Sequence, residues 1–485
     1  VKIKDLFQGK IKMEKRYLIT HFFILTVFTT ILACTVTSKD IETWKKTQKG
    51  PDKLAAVLLD TKYTPRLRAE AAWALASIED WNKFDKAFKV LEPSSRASVI
   101  EQLVPLLVNA IKEGNKPPSP PTAEQVAAKD ALYVVLPLAP QSVKPQIEDA
   151  LVQWCVEDFN GRFFAGRYSV EVVLMNVGPK AASGLVQTLV PGFLAYDKVT
   201  EILSKIASAD VKEEAGKRLI LMARERQGKV EEPLLVAMAR MGGREVRQFL
   251  LELGANLKIP ARVQRGGLIA YLQYKLCNKE DMDKLFAIAE DPQQDYMSRN
   301  FAYDAIVCIG DKSVVPRLLK LIHETGKDKD KFRGVGVDEI MKLAGPEAIP
   351  AILKEIASEK DPWENFEDLR DFVMLRFTQD NDGKPLDENG RKKVLEQLRP
   401  LLGAKESISR GIAIFTLGLI GEEEDYEKVK KFISDGGKLK DWKAKEGEIM
   451  IGEGKIIKVD AVDFKTVGDV AKWSLTQLEK RIGKK

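Results

Sequence analysis

Apolar positions three and four residues apart run through most of this chain, and the clearest instance lies between Thr64 and Ile78. There Leu67, Ala71, Ala74, Leu75 and Ile78 fall on one helical face, with Thr64 placed to cap and Pro65 to open the helix. Related stretches run from Ser298 to Gly310 and from Ser409 to Gly421, each opening on an arginine and small residues and closing on glycine. The apolar runs end at Met241-Gly242, Tyr274 to Cys277, Ile309-Gly310, Ala344-Gly345 and Phe377-Thr378. These steps of about 34 residues match the length of one helical hairpin, and the phase extends back to Ala207-Ser208 and Val177-Gly178. Between runs, Gly310 is followed by Pro316 and Gly345 by Pro350, and Pro140 to Ile147 repeats the outline around Pro145. This predicts hairpin joints in which glycine forms a left-handed cap and proline enters the first turn of the next helix.

Three segments interrupt the period. Gly114 to Thr122, with four prolines, predicts an exposed loop, and Gln379 to Pro385 a second one. Glu448 to Val459 sets two β-like runs around Gly452-Glu453-Gly454 and predicts a small hairpin, followed by a last helix from about Thr466 to Arg481. The period alone would also suit tetratricopeptide repeats. Their Trp, Leu-Gly, Tyr series is not found, nor is the ankyrin Thr-Pro-Leu-His. The arginine and alanines opening each second helix, then glycine, then a later proline, resemble bacterial HEAT and HEAT-like repeats. That resemblance covers roughly residues 50–480 and implies an all-α fold, a right-handed α-solenoid with one small β-hairpin insertion near the C-terminus. The solenoid is expected over 41–485, with insertions near 114–124, 379–387 and 438–464.

The first residues have another character. Met13-Glu14-Lys15-Arg16 precedes an uncharged run from Tyr17 to Ala33 that ends Ile31-Leu32-Ala33-Cys34. A basic start, a short apolar stretch and a small residue before the cut describe a secretory signal peptide. Ile31-Leu32-Ala33-Cys34 resembles the lipobox of bacterial lipoproteins, in which the cysteine sulfur takes a diacylglyceryl group and becomes the mature N-terminus. The alternative is an uncleaved membrane helix with Cys34 as an incidental thiol; four threonines and His21 in the run count against it. The resemblance implies a leader over 1–33 starting at Met13, a lipidated tether over 34–40, and attachment to a membrane through lipid on Cys34. Thr37 and Asp40 are spaced as a capping box. Localisation follows as the cell envelope and, with Thr35 rather than Asp after the cysteine, the outer membrane if the source is Gram-negative.

Without the leader, 71 basic and 69 acidic residues remain, so the balance gives no reason to expect nucleic acid as a partner. Cys155, Cys277 and Cys308 each sit in apolar patterns and are expected as buried free thiols. Candidate chemistry is sparse. His323 is the one histidine after the leader, expected at a helix end near the last carbonyls. No zinc cluster, phosphate loop or nucleophile elbow is present. Glu359, Asp361, Glu364, Glu367, Asp368 and Asp371 crowd around Trp363 and Phe366, a pattern better explained by an acidic helix start than by sugar chemistry. Asp380-Asn381-Asp382-Gly383 resembles part of a calcium loop, but Thr378 and Asn389 occupy the positions of its first and last acids.

Charge is distributed unevenly. Twelve basic residues face five acids between Lys217 and Lys275, whereas residues 359–390 carry ten acids and four bases. Arg218, Arg224, Arg240, Arg244, Arg247, Arg262 and Arg265 are therefore the candidate binding surface, with Arg240, Arg262 and Arg265 as a stripe toward an anionic partner. The expected function is that of a scaffold or adaptor without enzymatic activity, metal or cofactor, holding a protein partner. The alternatives are a HEAT-like enzyme of the bilin-lyase type or an envelope protein that binds a polymer or ligand.

Overall fold

The computed structural model describes residues 36–159, 166–226, 229–324, 328–358, 372–373, 376–380, 384–451 and 455–483. Cys34 and the leader, the acidic stretch from Glu359 to Asp371, Asn381 to Gly383 and the Gly452 to Gly454 turn lie outside them. The chain divides into two compact units, residues 1–222 and 223–485, each built from stacked helical hairpins in the manner of an α-solenoid. Among the described residues no helix is long and apolar enough to cross a membrane.

In the first unit Thr37 and Asp40 form a capping box on the helix Ser38–Trp44. Thr64 caps the helix Pro65–Ser77 by accepting from the Leu67 N–H at 3.3 Å. Ala69, Ala71, Ala72, Ala74 and Ala76 of that helix are fully buried against Gly50–Leu59, Pro93–Glu113 and Ala123–Val135. One part of the sequence pattern is corrected here. Leu67 is only partly buried, and its neighbour Arg68 occupies the interior instead.

The second unit shows the period most regularly. Arg244–Ala255 pairs with Ala261–Gln273, and Met282–Ala289 with Tyr296–Ile309. The second helices then stack on one another, Ala261–Gln273 on Tyr296–Ile309 and that on Lys329–Ala344. A Cβ on Gly267 would come within 2.8 Å of the Leu250 carbonyl oxygen, so the first of these pairs closes only around glycine. The prolines fall where expected, second in Lys144–Phe159, Val315–Leu318 and Ile349–Ser358. The joint glycines follow a different geometry from the simple cap. Gly310 is left-handed helical at φ 75°, ψ 15°, whereas Gly178, Gly242 and Gly345 combine φ of 71–74° with ψ of −142° to −165°, a region open essentially to glycine alone.

The arginine that opens a second helix has a definite task. In Pro65–Ser77, Pro93–Glu113, Tyr296–Ile309 and Ser407–Ile420 the fourth residue is Arg68, Arg96, Arg299 or Arg410. Each reaches back to a carbonyl at the end of the preceding segment: Arg68 Nε to Leu58 at 2.8 Å, Arg96 Nη1 to Phe88 at 3.2 Å, and Arg299 Nε to Ala289 at 2.7 Å. Arg410 Nη1 serves both Ala404 at 2.8 Å and Lys405 at 2.7 Å. In Ala261–Gln273 the fourth residue is Gln264, whose amide donates to Asn256 and Ile259 in the same way. Helix ends leave carbonyls without intrahelical donors, and these side chains supply them inside the joint, where water is largely excluded.

Arg410 also pairs with Asp435 at 2.8 and 3.2 Å, holding that carboxyl below its usual range. Arg410→Leu removes two caps and strands the carboxylate, and is expected to cost about 2–3 kcal/mol. Urea unfolding of the variant against the parent measures it, and a difference under about 0.5 kcal/mol would refute the capping role.

Two small antiparallel sheets separate the last two helices. Strand β1 (Lys438–Ala444) pairs with β4 (Val462–Thr466), and β2 (Gly447–Ile451) with β3 (Lys455–Val459), aligning Glu448 with Lys458. The inner pair is the expected hairpin; the outer pair was not foreseen. The last helix, Val467–Ile482, starts on a Thr466–Asp469 capping box and packs against Ser407–Ile420, with the Phe415 and Trp473 rings stacked at 4.4 Å.

The cysteine expectation holds for one residue of three. Cys155 is a buried free thiol, pushed well above its usual range by burial. Cys277 and Cys308 instead form a disulfide. Neither is buried, because the helix Ala261–Gln273 has ended before Cys277 and Cys308 sits on the outer side of the last turn of Tyr296–Ile309.

Candidate binding surface

Six of the seven candidate arginines belong to the second unit and Arg218 to the first. Most are already engaged. Arg218 donates to Glu214 at 2.9 Å and Gln187 at 2.8 Å, and Arg224 lies 5.6 Å from the centre of the Phe249 ring. Arg240 is half-buried in the last turn of Glu232–Met241, where a cation faces the helix's negative end. Arg244 is exposed 3.7 Å from Glu280. Arg247 is built into the structure: Nε bonds Asp281 at 2.9 Å, and Asp281 also accepts from the Tyr271 hydroxyl at 3.0 Å. Burial pushes the Tyr271 phenol up, so it remains a donor at neutral pH.

Arg262 and Arg265 are arranged differently. They flank Gln264, and since it does the capping, both are left without a carboxylate partner among the described residues; Arg265 makes only a long contact to the Ala261 carbonyl at 3.4 Å. They line a groove of about 330 Å³ across Glu232–Met241, Ala261–Gln273 and Tyr296–Ile309, together with Val236, Ile269, Met297 and Phe301. Arg240 does not line it, so the three-arginine stripe reduces to a pair. Gly266 lets the first two helices approach, since a Cβ there would lie 2.7 Å from the Leu235 side chain. Glu232 lines the same groove without pairing with either arginine, so two guanidinium groups and one carboxylate stand beside the exposed Met297 and the half-buried Val236, Ile269 and Phe301.

A second, larger cleft of about 740 Å³ lies between Tyr296–Ile309, Lys329–Ala344 and the residues Arg376, Gln379, Asp380 and Leu386. Lys342 bonds Glu339 at 2.5 Å and approaches Asp304 at 3.4 Å, while Arg376 and Asp338 are 3.0 Å apart. Glu339 is only 3% exposed, and burial, opposed by Lys342, raises its carboxyl to about 7. Burial also raises Asp338 against the pull of Arg376. On Lys342 burial acts downward but is outweighed by Glu339 and Asp304, so the amine stays charged. Residue spacing gave no signal of this cleft, because its charges come from three repeats.

Other candidates resolve into structure. His323 pairs with Glu355 of Ile349–Ser358 at 2.9 Å. Glu422, Glu424 and Asp425 are the described carboxylates that come within 4.8 Å of one another as a metal site would require. Arg399 occupies their midst at 2.7, 2.9 and 2.9 Å, and Lys428 joins them. Gln379 and Pro385 form an isolated antiparallel bridge, and Asp380 accepts from the Lys384 N–H at 2.9 Å; the rest of the calcium-loop candidate lies outside the described residues.

The fold and these surfaces define a helical-repeat protein whose distinctive features lie on its second helices. No protein-family model matches the sequence, and no curated protein sequence does. Solved structures with similar helical packing include an engineered protein determined by a structural genomics consortium, at 14% identity over 88% of this chain and 98% of the other, with a TM-score of 0.20. Kap121p is another, at 12% identity over 89% of this chain and a TM-score of 0.30; the alignment spans about half of Kap121p's length, 49%. Both scores are too low to support an argument about function.

Proposed function

We propose that this chain is a lipid-anchored protein of the cell envelope, a HEAT-like scaffold that holds an acidic protein segment in the Arg262–Arg265 groove. The groove carries the reading: within a nearly neutral protein it sets two arginines that pair with no described carboxylate beside an apolar floor, with Glu232 the one acid among its described lining residues. The leader ending at Cys34 supports the location, and so does the Cys277–Cys308 disulfide, since such bonds persist in oxidising compartments and are rare in the cytosol.

The test has two arms. Mass spectrometry of the native N-terminus is expected to find an acylated Cys34, and Cys34→Ser to release the protein from membranes; an unmodified terminus elsewhere would refute the anchor. Arg262→Glu/Arg265→Glu is expected to abolish capture of the partner that the parent retains at low salt, with the melting temperature unchanged. Capture by the parent should weaken as salt rises, since exposed charges are screened over about 8 Å at physiological ionic strength. Equal capture by the folded double variant would rule out the groove.

A further inference from the structure

We propose that the cleft between Tyr296–Ile309 and Lys329–Ala344 binds the primary ammonium group of an aliphatic amine, either a lysine side chain or a free diamine, with Glu339 as its charge partner. Oε1 of Glu339 is held by Lys342, but Oε2 is buried with no hydrogen-bond partner. A buried carboxylate oxygen without a donor is costly, and a third cation would satisfy it. The cations present are committed: Lys342 is shared between Glu339 and Asp304, and Arg376 faces Asp338. With Asp380 also on the wall, four acids line the cleft against two bases among the described residues.

Among the described residues the charged groups facing Glu339 are Asp338 and Lys342 of its own helix, Asp304 of Tyr296–Ile309, and Arg376 and Asp380 from the segment beyond, with Tyr296 the one other titratable side chain. The geometry selects among cations. Asp304, Asp338 and Glu339 do not bring their oxygens close enough together to share one metal ion; among the described residues only the Arg399-filled triad does. An extended amine meets no such restriction. Tyr296, Val335, Met341 and Leu386 offer apolar surface for methylene groups, while the ammonium head reaches the acids.

Binding draws on the ionised form of Glu339. Because burial raises this carboxyl to about 7, an incoming ammonium lowers it again and expels a proton to solvent at pH 7 and below. Calorimetry on the full-length protein with cadaverine and with Nα-acetyl-lysine methylamide tests the proposal. Saturable binding is expected at pH 8 and about tenfold weaker binding at pH 6, with proton release seen as a buffer-dependent heat. Glu339→Gln is expected to lose at least about tenfold at pH 8 and all of the pH dependence. Should that variant fail to fold by circular dichroism, Asp304→Asn at the half-exposed rim provides the second reading, with a loss of about threefold. Binding of cadaverine alone assigns a small diamine, and binding of the lysine derivative alone assigns a protein side chain. No saturable heat at pH 8 from either amine, affinity indifferent to the substitution that folds, or binding of calcium chloride in place of the amines would overturn the proposal.

Discussion

Ile306→Asp is expected to destabilise the second unit by about 4–5 kcal/mol, enough to unfold it at moderate temperature. Ile306 is completely buried in the middle of Tyr296–Ile309, the helix that packs on both Ala261–Gln273 and Lys329–Ala344. A carboxylate there must either lose its water shell or take a proton, and it also removes apolar contacts to two neighbouring repeats. Urea unfolding followed by circular dichroism measures the change. Leu67→Asp is the useful contrast: the sequence pattern places Leu67 on the same kind of face, but it is partly exposed, and a loss of only about 1 kcal/mol is expected. Equal losses at the two positions would contradict the burial described for them.

Opening the Cys277–Cys308 bond is the second large effect. The cysteines are 31 residues apart, and a closed loop of that length restricts the unfolded chain by about 3–4 kcal/mol on the loop-entropy account. Cys277→Ser/Cys308→Ser is therefore expected to lower stability by that amount, and a reducing agent to do the same to the parent. Cys155 serves as an internal control, being buried and unpaired, so Cys155→Ala should leave the response to reductant intact. Identical unfolding of the parent with and without reductant would show that the bond contributes nothing.

Much of this architecture is legible in the chain because helical hairpins are local. Thr64-Pro65, the Thr37–Asp40 box and the prolines of Lys144–Phe159 and Ile349–Ser358 are read within a few residues, and each stands where its local chemistry puts it. What escaped the reading depends on contacts between segments. Pattern alone put Leu67 inward and gave Arg68 no place, because the Leu58 carbonyl that Arg68 serves is supplied by another helix. Apolar context alone conceals the disulfide, although a spacing of 31 is close to the repeat period and so sets both cysteines at corresponding places in adjacent repeats. The arginine-rich region was visible as a sum of charge. That Arg247 is spent on Asp281 while Arg262 shares a groove with Glu232 but pairs with no described acid follows only from which carboxylates the packing brings near.

The arginine caps have a bearing on how such a chain changes over generations. Arg68, Arg96, Arg299 and Arg410 lie within ten residues of the carbonyls they serve, at separations of 10, 8, 10 and 6. Each of these hairpins therefore carries its own finishing group, and duplicating or deleting one leaves no orphaned helix end elsewhere. Copy number is free to drift by whole hairpins across most of the sequence. The stretch from Cys277 to Cys308 is the exception, because losing either repeat alone would leave an unmatched thiol. Those two repeats are tied into one heritable block, inherited together or lost together.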